Sequence, residues 1–146
     1  LYLPDRGEAG THNVAGIAGL LEGVRFVRRT GQNRILAHER RLLARMEQSL
    51  ADVDGIQLFT AEGENQAGVL SFVCDGRDCQ DLARALGQRG VAVRAGLHCA
   101  PMAHSHAGTL DSGTVRISFS AFNREEEVEY FQTALKQIVH GILRVN

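Results

Sequence analysis

Residues 114–120 read TVRISFS. Val115, Ile117 and Phe119 alternate with Arg116 and Ser118, and a period of two belongs to a strand with one apolar and one polar face. A sheet built from such strands must bury one face, and the rest of the chain supplies helices to cover it. Val14, Ile17, Leu21 and Val24 recur every three or four residues, which predicts a helix from Asn13 to about Arg29, with Thr11 or Asn13 as its cap. Gly16, Gly19 and Gly23 form a second ridge on it; each costs up to about 1 kcal/mol of helix stability relative to Ala, so the ridge predicts close approach by a second backbone and packing on two sides. Gly31 ends that helix.

A second helix is predicted from about Asn33 to Val53, with Ile35, Leu42, Met46, Leu50 and Val53 inward and Glu39, Arg40, Arg41 and Arg45 as a solvated face. Asp54-Gly55 is a turn. Strands follow at 56–59 and 69–74, joined by a polar loop. Asp78 then caps a helix to about Arg89 that points Leu82 and Leu86 inward, and 91–94 is the next strand. Asn123 with Glu126 resembles a capping box for the last helix, whose stripe is Val128, Phe131, Leu135, Ile138 and Ile142. The order α-α-β-β-α-β-loop-β-α predicts an α+β fold: a small mixed sheet covered by helices on one face.

At 146 residues the chain has the length of one domain, and 44% hydrophobic with 23% charged residues is a soluble globular composition. A net charge of −1 leaves no electrostatic footprint for nucleic acid or an anionic membrane. The longest weakly charged stretch, Thr11 to Leu21, is shorter than the roughly 20 residues a bilayer span takes. No secretory signal opens the sequence, and three cysteines, an odd number, suit reduced thiols better than a disulfide scaffold. Both point to a cytoplasmic protein. LYLPDRGEAG carries no initiator Met and reads like the middle of a larger protein. Of the sixteen basic side chains only Lys136 is a lysine.

The loop before the alternating strand concentrates the chemistry. RAGLHCAPMAHSHAGT, 94–109, holds Arg94, His98, Cys99, His104 and His106. These are competent zinc ligands, but His98 and Cys99 are adjacent and point apart if extended, and no C-x-x-C or H-E-x-x-H spacing is present. As a thiol site the stretch reads better. Cys99 follows a strand end, Gly96, Gly108 and Gly113 allow the loop to move, and cationic neighbours raise a thiolate fraction. Arg116, on the polar face of its strand, suits bidentate carboxylate recognition, with a structural ion pair as the equally available alternative.

RAGLHCAPMAH followed by GTVRISFSAFN resembles the C-terminal part of class V aminotransferases, most of all the cysteine desulfurase branch, and EAGTHNVAGIAGL resembles another motif of that family. The matches bracket nearly the whole chain. The resemblance implies a fold-type-I enzyme, dimeric and dependent on pyridoxal phosphate, that takes L-cysteine to L-alanine and leaves the sulfur as a persulfide for an acceptor protein. By position it assigns the persulfide to Cys99, the substrate carboxylate to Arg116, a substrate-side role to Arg94, and the cofactor phosphate of the partner subunit to Thr11. It also implies that residues 1–146 are the C-terminal small domain, with 1–31 as connecting segment and inter-domain helix, and that the large domain bearing the cofactor lysine is not in this chain. Lys136 matches no cofactor-lysine motif, so covalent pyridoxal phosphate is not expected here. Leu97 stands where better-known desulfurases have a second His. Two alternatives therefore remain: another class V enzyme, a transaminase or lyase, and a stand-alone zinc- or ligand-binding module.

Overall fold

The computed structural model describes residues 2–7, 10–61 and 63–141. The chain divides into two compact units, Leu1–Arg34 and Ile35–Asn146.

The first unit contains a short 3-10 turn, Asp5–Gly7, and helix α1, Val14–Thr30. Asn13 caps α1: its Oδ1 accepts the Gly16 N–H at 2.9 Å. The packing expected of α1 is absent within the described residues. None of its residues is buried, and Val14, Ile17, Leu20, Leu21 and Val24 all lie exposed. An amphipathic pattern reports that a helix has something to cover, not that the partner belongs to the same stretch of chain.

The second unit holds the sheet. Helix α2, Gln32–Ala51, leads into it, followed by β1 (Ile56–Phe59), β2 (Val69–Cys74), α3 (Cys79–Gly87), β3 (Arg94–Gly96), α4 (Pro101–Ala107), β4 (Thr114–Ser118) and α5 (Glu125–Val139). The strand order is β1-β2-β4-β3, and each neighbouring pair is antiparallel. The sheet is antiparallel throughout, where the sequence predicts mixed strand directions. β2 and β3, joined through α3, run the same way, but β4 lies between them and opposes both. The α+β class is as the sequence implies, with α2, α3 and α5 covering one face of the sheet.

Register decides what that face carries. Leu70 pairs with Ile117 and Phe72 with Val115, so these four side chains point to the same side and form the floor of the core. Leu42, Leu43, Met46 and Leu50 of α2, Leu82 and Leu86 of α3, and Val128, Phe131 and Leu135 of α5 close over them. Each such side chain contributes roughly 1.5–3 kcal/mol by leaving water. Phe131 meets Phe72 edge-on, with ring centroids 6.3 Å apart. Ile35 is only half-buried, and Ile142 lies outside the described residues.

Boundaries moved at several elements, β4 among them, which ends at Ser118 rather than Ser120. β3 begins at Arg94 rather than Val91, because 91–93 make no ladder with β4. The expected capping box shifts by one residue: Glu127 Oε2 accepts the Arg124 N–H at 3.0 Å and an Asn123 Nδ2–H at 2.9 Å, which holds the Glu127 carboxyl below the usual range. The loop between the last two strands contains a helix, α4. Pro101 sits in its first turn, and Gly108 closes it in the left-handed conformation, φ 70°.

Candidate functional site

The face of the sheet opposite the core carries the arginines. Arg94 lies directly across from Arg116, and Ser71 flanks Arg116 from the other side. Two guanidinium-bearing residues on adjacent strands with the same facing cost stability unless an anion answers them. Arg116 is half-buried, and its Nε is buried without a hydrogen-bond partner. A buried donor left unpaired is unfavourable by about 1–3 kcal/mol, so this one is available to a ligand. The structural ion pair considered for Arg116 is not among the ion pairs of the described residues.

β3 delivers the chain from Arg94 to Cys99 within five residues. His98 and Cys99 both occupy the left-handed region, φ 51° and 60°. Side chains other than glycine, Asn or Asp adopt it at a cost of order 1–2 kcal/mol each, so the backbone here is strained at the thiol itself. The strain keeps the chain from running on in extended form. Cys99 is exposed, whereas Cys74 and Cys79 are buried, and burial pushes both of their thiols up.

The histidines do not act as a group. His106 is exposed. His104 is buried, its Nδ1 2.7 Å from Thr109 Oγ1. His98 Nε2 lies 3.1 Å from Thr114 Oγ1, and its Nδ1 is buried and unpaired. Burial, and then the charges of Arg116, His104 and Arg94, hold the His98 imidazolium below its ordinary range. The fold thus disfavours the imidazolium form of His98 beside Cys99, where residue types alone suggested a cation. Thr109 and Thr114 went unnoticed in the sequence. The signal available was Thr114 opening the alternating strand in phase with Arg116.

Thr11 is exposed and belongs to the first unit. Lys136 lies on α5, next to buried Leu135, in the layer that covers the apolar face of the sheet. The arginines occupy the other face, so the chain's single lysine does not share a surface with Arg94 and Arg116. Among the described residues no group of three or more His, Cys, Asp or Glu is placed to hold a metal ion, and no helix is long and apolar enough to cross a membrane. A cavity of about 640 Å³ opens elsewhere, lined by Met46, Val93, Phe119 and Tyr130, and includes neither arginine nor Cys99.

A strand-borne arginine pair with an exposed, conformationally strained thiol a few residues on has the chemistry to attract an anion beside a reactive sulfur. Comparison with known proteins gives it a family. Residues 2–131 match the model of the family Aminotransferase class-V, and the chain belongs to that family. It is 41% identical over 138 residues to a protein of Mycolicibacterium paratuberculosis named "Probable cysteine desulfurase", covering 94% of this chain and 20% of that protein. A protein of the same name from Xylella fastidiosa is 42% identical over 135 residues, 92% of this chain and 32% of the relative. The apo structure of a cysteine desulfurase from Thermococcus onnurineus superposes with a TM-score of 0.84 at 36% identity, over 94% of this chain and 34% of that one. The chain therefore spans a fifth to a third of the proteins it resembles.

Proposed function

We propose that this chain is the small domain of a pyridoxal-phosphate-dependent cysteine desulfurase, that Cys99 is its sulfur-accepting nucleophile, and that Arg116 and Arg94 hold the substrate carboxylate. The observation that carries the reading is the union of an exposed thiol at a strained turn with a facing arginine pair that has an unspent buried donor.

The residues present fit one side of such a site. Arg116 binds a carboxylate through a rigid fork, and the low exposure around its Nε strengthens that contact. Arg94 adds charge from the adjacent strand. Anchored there, L-cysteine presents its sulfur to Cys99. The Cys99 thiolate forms an S–S bond with that sulfur, the substrate C–S bond breaks, and the carbon keeps the electron pair and takes a proton. Alanine leaves and Cys99 carries the persulfide, which passes to an acceptor thiol. Bound pyridoxal phosphate supplies the electron sink for the carbanion chemistry.

Thr11 is assigned to the cofactor phosphate of the partner subunit in a homodimer. The lysine that anchors the cofactor comes from a large domain outside this chain, which also covers the apolar face of α1. Lys136, on the core side of the sheet, is not that lysine.

The full-length protein is given pyridoxal phosphate, L-cysteine and reductant, and alanine and sulfide are quantified for wild type and Cys99→Ser. Both products should fall by about two orders of magnitude in the variant, as for loss of a covalent nucleophile. Turnover indifferent to the substitution would keep the family and move the enzyme to a transaminase or lyase reaction.

A further inference from the structure

Buried polar side chains are concentrated in one place. Among the described residues, the buried polar or charged side chains are His104, Thr109 and Thr114, all around the loop that bears Cys99. Burying a polar group is unfavourable unless it is paired, and here the pairs are internal. His104 takes Thr109, and Thr114 takes His98, the residue before Cys99. The two imidazoles lie 5.7 Å apart, centroid to centroid, tilted by 42°.

Apolar packing does not hold this loop down. His104 is the one buried side chain of α4. Beside it is a hollow of about 140 Å³, lined by Phe59, Ser71, Ala103 and Ala107 among others, on the arginine-bearing side of the sheet. Backbone ties run in series from the same residues: Thr109 N–H donates to His104 O at 2.9 Å, and Gly113 N–H to Thr109 O at 2.9 Å. Thr114 then enters β4 opposite Gly96, the last residue of β3. The His98–Thr114 pair thus fastens the strained Cys99 turn to β4, and the His104–Thr109 pair closes α4 onto the loop that follows it.

We infer that the His98–Thr114 and His104–Thr109 pairs form a polar latch that holds residues 97–109 in one arrangement and so aims Cys99 at the sulfur of the arginine-bound substrate. The four are positioning residues for the sulfur-transfer step. The aiming rests on the desulfurase reading; the latch itself does not. A rigid attachment of the nucleophile matters because transfer needs the Cys99 sulfur in line with the substrate S–C bond that breaks, and small displacements of a reacting group have large kinetic effects.

The test compares Thr114→Val, which keeps the shape and removes the hydroxyl, with Thr114→Ser, which keeps the hydroxyl, in the full-length protein. Amide hydrogen exchange of the 97–113 peptides should quicken about tenfold in Thr114→Val and stay within about twofold of wild type in Thr114→Ser. With L-cysteine, kcat for alanine should fall about tenfold in Thr114→Val with KM within about twofold, because the arginines are untouched, and Thr114→Ser should recover it. Thr109→Val and Thr109→Ser are read the same way if Thr114→Val shows no cooperative melt. Unchanged exchange in the Val variants or equal effects of Val and Ser would overturn the latch, and quickened exchange with unaltered kcat would overturn its role in aiming Cys99. If wild type makes no alanine from cysteine, the desulfurase reading fails, while the exchange measurement still decides whether the latch exists.

Discussion

Arg94 and Arg116 face each other as direct partners on antiparallel strands β3 and β4. Like charges in that relation oppose folding, by roughly 0.2–1 kcal/mol on the scale of cross-strand pairs. Replacing Arg94, the more exposed of the two, with Gln should therefore leave the urea midpoint unchanged or raise it slightly. The same change should lower kcat/KM for the amino-acid substrate by about tenfold or more, since it removes a charge that the carboxylate answers. A lowered midpoint with unchanged kcat/KM would mean that the pair is structural and that the anion lies elsewhere.

The three thiols should separate cleanly. Cys99 is exposed, and Cys74 and Cys79 are buried with their thiolates disfavoured by desolvation. Brief iodoacetamide treatment of the native protein, followed by peptide mass spectrometry, should label Cys99 at least about tenfold faster than either of the others. Full denaturation should equalise them. Native labelling of Cys74 or Cys79 at a comparable rate would contradict the burial described here.

Much of this arrangement was legible in the residues, and the reason differs by element. The stripes of α2, α3 and α5 and the alternation of β4 are each a repetition of one simple period, and burial followed them. Cys99 and the arginines stood out by type. The helix α4 did not, because seven residues are too few to show a period and three of them are His or Ser; Pro101 in its first turn and Gly108 after it were the better signs. The His–Thr pairs were invisible for another reason. They join residues five and sixteen apart across a turn whose left-handed backbone no local pattern announces. The exposure of α1 had a visible cause, an apolar face and a glycine ridge, but the sequence does not say what they face.

Helix α3 depends on one cap. Asp78 Oδ1 accepts the N–H groups of Gln80 at 2.8 Å and Asp81 at 3.0 Å. Asp78→Ala should cost about 1 kcal/mol, read as a lower urea midpoint with an unchanged slope. Asp78→Asn should recover most of it. Equal loss in both variants would point to charge rather than to the accepted hydrogen bonds.

His98 makes stability depend on pH with a defined sign. Arg116, His104 and Arg94 face its ring, and burial with these charges lowers its affinity for a proton in the fold. Just below the ordinary histidine value of 6.5, the unfolded chain takes up a proton at this residue that the folded chain does not. Stability must then fall as pH drops from 6.5 toward the lower value His98 has in the fold. The ring is only half-buried, so the slope should stay under about 1 kcal/mol per pH unit. Urea midpoints at pH 7.0 and 5.5 should differ less in His98→Gln than in wild type, by the missing contribution of this one group. Equal differences would show that His98 titrates alike in both states.

Gly113, immediately before β4, packs tightly against Gly96 at the end of β3. A Cβ built there would lie 2.9 Å from Gly96 Cα and 3.1 Å from Cys79 Sγ, and its φ of 63° already disfavours any side chain. Gly113→Ala must push β3 away from the start of β4 or unseat the N-terminus of α3. Either shift carries Thr114 with it, and with Thr114 the fastening of His98. The substitution should cost about 2–3 kcal/mol, from crowding together with backbone strain. Urea unfolding checks that magnitude, and amide exchange over 97–113 should quicken more than exchange in α2 or α5, which supply none of the nearest neighbours of the added Cβ. The neighbouring Ser112, exposed, provides the control: Ser112→Ala leaves strand spacing alone and should shift the midpoint by less than about 0.5 kcal/mol. A Gly113→Ala protein as stable as wild type would mean that β3 and β4 have slack between them, and the close pairing of Gly96 with Thr114 would then not be what holds the Cys99 turn in place.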